Sequence, residues 1–112
     1  MDLEGRISGS GDLVINGSIL GMASFSISGS GKVQASGKAH ETETRISGSG
    51  DLYASGLETE NVDIRIAGSG DAEVYATQKL EVSVSGSGDV SYKGSPTQLN
   101  THSSGSGKVR KM

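Results

Sequence analysis

One eight-residue unit dominates the chain. It reads "RISGSGDL" at residues 6–13 and again at 45–52, "SISGSGKV" at 26–33, "RIAGSGDA" at 65–72, "SVSGSGDV" at 83–90 and "HSSGSGKV" at 102–109. The first glycines of the six copies are Gly9, Gly29, Gly48, Gly68, Gly86 and Gly105, with spacings of 20, 19, 20, 18 and 19 residues. A short period with no helical pattern is the mark of a β-solenoid, in which one repeat makes one coil that cannot bury its apolar face alone. Leucine-rich repeats have a comparable period, but the leucine ladder and asparagine column they need are missing here.

Parity within a repeat shows how a coil is built. In the third, Thr42, Thr44, Ile46, Gly48, Gly50, Leu52, Ala54 and Gly56 alternate with Glu43, Arg45, Ser47, Ser49, Asp51, Tyr53 and Ser55. The first series is small or apolar and the second mostly polar, a period of two that belongs to strands with one buried face. The alternation passes through Gly-Ser-Gly without slipping. Both glycines of each motif are therefore expected on the inward side of a tight corner, where a side chain would collide with the opposite wall. The twelve corner glycines are Gly9, Gly11, Gly29, Gly31, Gly48, Gly50, Gly68, Gly70, Gly86, Gly88, Gly105 and Gly107. A second corner is expected at Gly17, Gly37, Gly56 and Gly94, with Ala76 in the fourth repeat, followed by a segment of variable length. Two defined sides and a variable third suggest a triangular coil. The fold class is all-β: a right-handed parallel β-helix of about 19 residues per coil and five to six coils, forming one domain over residues 1–112. The hand follows the general preference of parallel crossovers.

Stacking the coils aligns Ile7, Ile27, Ile46, Ile66 and Val84 in one buried column, and Leu13, Val33, Leu52, Ala72, Val90 and Val109 in another. Ladders of aliphatics replace bulky aromatics, which reconciles the stack with only 32% hydrophobic residues, no Trp and one Phe. Ser103, Lys108, Arg110 and Lys111 bring polar groups to the last coil, as a capping end should. Leu3, Ile7, Leu13 and Ile15 in the first coil have no such guard. Self-association through that uncapped N-terminal coil is expected, as a head-to-head dimer.

The chain has no cysteine, so neither a disulfide framework nor a thiolate metal site is available. No stretch approaches the roughly 18 apolar residues of a membrane span. The start, "MDLEGRISG", carries no signal-peptide pattern. Residues 1–92 hold all 13 acidic residues and 6 of the 10 basic ones, a net of −7. Residues 93–112 hold Lys93, Lys108, Arg110 and Lys111 and no acid, a net of +4. That basic end lacks interleaved aromatics, so nucleic acid is not an expected partner.

Outward positions form columns too. One runs Glu4, Ser24, Glu43, Asp63, Glu81, Asn100, and its neighbour runs Arg6, Ser26, Arg45, Arg65, Ser83, His102. Glu43, Arg45, Asp63 and Arg65 are the candidate binding face, a stripe suited to a glycan or a surface protein. The same residues also suit simple charge pairing between coils. Asp51, Asp71 and Asp89 stack on consecutive coils, but neither their position after the glycine nor the period fits the calcium-binding β-roll motif. No metal or other cofactor is expected. No catalytic residue is expected either: His40 and His102 fall on distant coils, and Gly-Ser-Gly is not a nucleophile elbow. Asn16-Gly17-Ser18 matches a glycosylation sequon, although turn chemistry already explains Asn-Gly at a corner.

The repeated "ISGSGD(L/V)" and the closing "DVSYKGSPTQLNTHSSGSGKVRKM" resemble the auto-transporter adhesin, head GIN domain family of bacterial envelope proteins. The resemblance covers nearly the whole chain. It implies a right-handed parallel β-helix, an extracellular, cell-surface or periplasmic location, and a non-catalytic adhesin-like or structural role. Family members usually carry a signal and further N-terminal structure, so this chain is expected to be the C-terminal portion of a longer head GIN domain. Two other readings are a bactofilin-like protein polymerising end to end and a polysaccharide-active β-helix enzyme.

Overall fold

The computed structural model describes residues 2–111; the side chains of residues 2–3 and 17–20 lie outside what it describes. Eight strands follow in order: β1 (Asp2–Gly9), β2 (Asp12–Gly29), β3 (Lys32–Gly48), β4 (Asp51–Gly68), β5 (Asp71–Gly86), β6 (Asp89–Lys93), β7 (Gln98–Ser104) and β8 (Lys108–Lys111). Each of β2 to β5 is an entire coil, broken only at the Gly-Ser-Gly corner. Every pairing is parallel, in the order β1-β2-β3-β4-β5-β6-β8, with β7 on the remaining part of β5. The result is a β-solenoid of about five turns with extents of 34 × 32 × 18 Å and, among the described residues, no helix.

The pairing register reproduces the repeat. Ile7, Ile27, Ile46, Ile66 and Val84 are successive backbone partners, and so are Leu13, Val33, Leu52, Ala72, Val90 and Val109. Of the first column, Ile27, Ile46, Ile66 and Val84 are at most 2% exposed, and each such burial contributes about 1.5–3 kcal/mol. Phe25 joins this single core beside Gly5, where an added Cβ would lie 2.6 Å from Leu13 Cδ2.

The corner differs from expectation. In the inner coils it is the second glycine that faces inward: Gly31, Gly50, Gly70 and Gly88 are buried, whereas Gly9, Gly29, Gly48 and Gly68 are exposed; in the end coils Gly11 is exposed and Gly107 half-buried. The first glycine serves the backbone instead. All six first glycines have positive φ, from +99° at Gly9 to +124° at Gly68 and Gly86. This conformation turns their carbonyls along the stack. Gly29 O accepts from Ser49 N–H at 3.0 Å, Gly48 O from Ser69 N–H at 3.0 Å, and Gly68 O from Ser87 N–H at 3.1 Å. The ladder of hydrogen bonds therefore continues through the bend, satisfying groups that a sharp turn would otherwise strand.

The second corner does not stack as expected. Gly17 pairs with Gly37, but Gly56 pairs with Ser36, and Ala76 pairs with Thr59. Register shifts at Gln34/Ser36, Ala54/Glu58 and Thr59/Asn61 absorb the unequal repeat lengths. β2 to β5 keep their strand pairing through this region, so the coils bend here without breaking the ladder, with positive φ at Gly37 and Gly94. One consequence is packing: Leu57, expected in the variable segment, is 1% exposed.

The C-terminal end is also less closed than its polar residues suggest. Leu99 partners the fully buried Leu80 but is 45% exposed. Ser103, standing in the isoleucine column, turns its hydroxyl to Gly107 O at 2.8 Å.

Candidate binding face on the outer wall

Period-two alternation sends every second residue of a strand outward, and parallel in-register stacking converts those residues into columns. On the wall made by residues 41–47, 61–67, 79–85 and 98–104, Glu43 pairs with Asp63 and Asp63 with Glu81. Two residues on, Arg45 pairs with Arg65, Arg65 with Ser83 and Ser83 with His102. The four sequence-selected residues Glu43, Arg45, Asp63 and Arg65 therefore share one face. Asp63 is half-buried, and the other three are exposed.

Charge pairing accounts for only part of this wall. Arg6 closes on Glu4 at 3.8 Å and Lys79 on Glu81 at 3.9 Å, both along one strand. Among the described residues Arg45 and Arg65 make no ion pair. Cross-coil pairs lie elsewhere, at Lys38–Glu58 (3.9 Å) and His40 Nδ1–Glu60 Oε2 (2.7 Å). Asp63 sits where three acids stack. Burial chiefly, and then the Glu81 carboxylate, push its carboxyl above the ordinary 3.8, against a smaller opposing pull from Arg65.

Depressions follow one another along the wall. One of about 240 Å³ is lined by Met22, Glu41, Glu43, Asn61, Asp63 and Lys79, among others. A second, about 520 Å³, lies between Asp63, Arg65, Glu81, Ser83, Asn100 and His102. A third, about 290 Å³, is lined by Arg45, Arg65 and Ser83 and, in the column beside them, Ser47, Ala67 and Ser85. Met22, Asn61 and Lys79 escaped the sequence reading because they flank the segment whose register the repeat leaves undefined.

The aspartate column at the corner has a structural use. Asp51 Oδ1 accepts from Asp71 N–H at 3.3 Å, Asp71 Oδ1 from Asp89 N–H at 3.2 Å, and Asp89 Oδ1 from Lys108 N–H at 3.3 Å. Where Lys32 occupies the column, Asp51 N–H turns to Gly31 O at 3.0 Å.

Residues 1–96 match the family described as "Putative auto-transporter adhesin, head GIN domain". Solved structures agree over almost the whole chain. A putative lipid binding protein from Parabacteroides distasonis is 32% identical with a TM-score of 0.96, over 99% of this chain and 45% of its own. A putative adhesin from the same organism is 33% identical with a TM-score of 0.95, over 99% of this chain and 47% of its own. A putative adhesin from Bacteroides fragilis is 26% identical with a TM-score of 0.88, over 99% of this chain and 53% of its own. The chain thus spans about half the length of these relatives. No protein of curated function matches it.

Proposed function

Because the chain belongs to the head GIN domain family of putative auto-transporter adhesins, we propose that it is a non-catalytic binding module of the cell surface whose ligand lies along the outer wall. The observation that carries this reading is the run of neighbouring depressions that share lining residues on consecutive coils, bordered by Glu43, Arg45, Asp63 and Arg65. An extended ligand can follow such a wall from coil to coil, as solenoids commonly allow. The adhesin-type neighbours favour an extracellular or surface setting and give the bactofilin-like reading no support. They are adhesins or binding proteins by name, which favours binding over turnover. A lipid tail would have to compete with aliphatic ladders that already fill the coil interior, so a glycan or a surface protein suits the wall better.

Immobilised glycans and extracellular matrix proteins, probed with the chain in a biosensor panel, test the proposal. Binding should be specific, without ligand turnover, and lost when Glu43, Arg45, Asp63 and Arg65 are together replaced by Gln or Asn. Binding that survives all four changes, or no binding across the panel, would overturn it.

A further inference from the structure

Arg45 and Arg65 are direct cross-coil partners, which sets their backbones about 4.8 Å apart. Like charges so placed repel each other. On the same wall Arg6 approaches Glu4 at 3.8 Å, yet among the described residues neither Arg45 nor Arg65 closes on an acid. Their own strand neighbours, Glu43 and Asp63, stand two residues away, and although Asp63 feels the charge of Arg65, neither acid closes to ion-pair distance. Both guanidinium groups are free to fork onto an external anion, the geometry that arginine serves best.

The column beside them narrows the ligand. Ser47, Ala67 and Ser85 are small, so a flat body can approach the backbone of three successive coils. A neighbouring depression beyond Arg65 is lined by Ser83, Asn100 and His102, which offer hydroxyl, amide and imidazole partners. The adjoining column of Glu43, Asp63 and Glu81 supplies acceptors for hydroxyl groups.

We propose that the Arg45–Arg65 pair is an anion-binding subsite for an acidic glycan, the acid group held between the two guanidinium groups and the sugar ring lying over Ala67. The inference rests on the outer wall being the binding face. A bilayer of anionic headgroups is a poorer match. A planar surface would meet the arginine and acid columns together, and Glu43, Asp63 and Glu81 would repel it, whereas a single saccharide chain can lie on one column.

Calorimetry at low ionic strength with trigalacturonate, its methyl ester and phosphatidylglycerol vesicles separates the alternatives. Trigalacturonate should bind, and Arg45→Gln or Arg65→Gln should each weaken it about tenfold or more, the loss of a charge-assisted contact. Arg65→Lys, which keeps the charge without the fork, should fall between. Arg6→Gln should bind as the unaltered chain does. All these side chains are exposed, and circular dichroism should show the fold retained. Equal binding of the methyl ester, binding of vesicles alone, indifference to Arg65→Gln, or no binding of any probe would overturn the anionic subsite. A ligand from the wider panel that Arg45→Gln and Arg65→Gln leave untouched would sink this inference while sparing the surface-binding reading. Failure of the whole panel would sink both.

Discussion

A methyl group added at Gly48 would lie 2.7 Å from Gly29 O, on a backbone whose φ is +110°. One added at Gly70 would run into Gly50 O and lie 2.7 Å from Ile46 Cγ2. In both cases backbone of the preceding coil stands in the way and cannot rotate aside as a flexible side chain could. Gly48→Ala should therefore cost about 1–3 kcal/mol through strain, and Gly70→Val several kcal/mol through overpacking. Ser49→Ala, exposed between Gly48 and Gly50, should melt like the unaltered chain in denaturation. The core contains the opposite case. Thr44 is 1% exposed and its hydroxyl has no hydrogen-bond partner, unlike Thr42 and Thr59, which share one at 3.2 Å. Thr44→Val keeps the shape and removes the orphan, so it should stabilise by about 1 kcal/mol, seen as a raised Tm. At the corner, the Asp51, Asp71 and Asp89 carboxylates already serve backbone N–H groups. Excess chelator should leave the Tm unchanged, and a large shift would mean that this column holds a cation.

Each element repeats its neighbour, so a charge placed once is placed again about 4.8 Å away. Asp63 shows the consequence: burial, then Glu81, hold its carboxyl above its ordinary value, so the fold disfavours its charged form. Folded chains then keep the proton to higher pH than unfolded ones. The associated stability is full below the ordinary value of 3.8 and is lost as pH rises through the folded value. Asp63→Asn should raise the Tm at neutral pH and flatten its pH dependence in the acid range, which thermal melts across that range would show. A lower neutral-pH Tm would mean that Asp63 is held by a favourable partner. Strand pairing was legible in the sequence for the same reason that this repulsion arises. Identical residues recur at equal intervals, and period-two parity assigns their faces, so the columns through Ile46, Leu52, Glu43 and Arg45 could be read before any coordinates. The second corner could not. Gly37 and Gly94 have positive φ and Gly56 does not, because a length difference between repeats can be absorbed at any of several bonds and composition does not choose among them. Nor could the sequence say which arginines pair: Glu4–Arg6 and Glu43–Arg45 have the same spacing, and only the first closes.

At the scale of the whole molecule, a stack of parallel coils has two ends, and the sheet order places β1 at one and β7 and β8 at the other. An open strand edge presents backbone N–H and C=O groups that pair readily with another chain. The two edges are not equivalent. β7 and β8 carry His102, Lys108, Arg110 and Lys111 with no acid, so two such ends brought together repel each other, even though Leu99 is 45% exposed there. β1 carries both signs, and a two-fold axis through Gly5 would set Glu4 opposite Arg6 of a second copy and Leu3 opposite its Ile7. Behind that edge Leu13 and Ile15 are only partly buried, so apolar surface adds to the backbone pairing. A polypeptide of these 112 residues alone is expected to form a closed dimer at micromolar concentration through β1, an edge that coils preceding it in a longer chain would cover instead, with growth ending there because the remaining ends are alike in charge. Light scattering should report twice the monomer mass, independent of time. Ile7→Lys should return the chain to monomer, and Val109→Glu should leave the dimer intact. A monomer at every concentration would show that β1 is not used as an edge. Filaments that lengthen without limit would show instead that β1 of one copy meets the basic β7 and β8 end of the next, because a heterologous contact that does not close has no reason to stop.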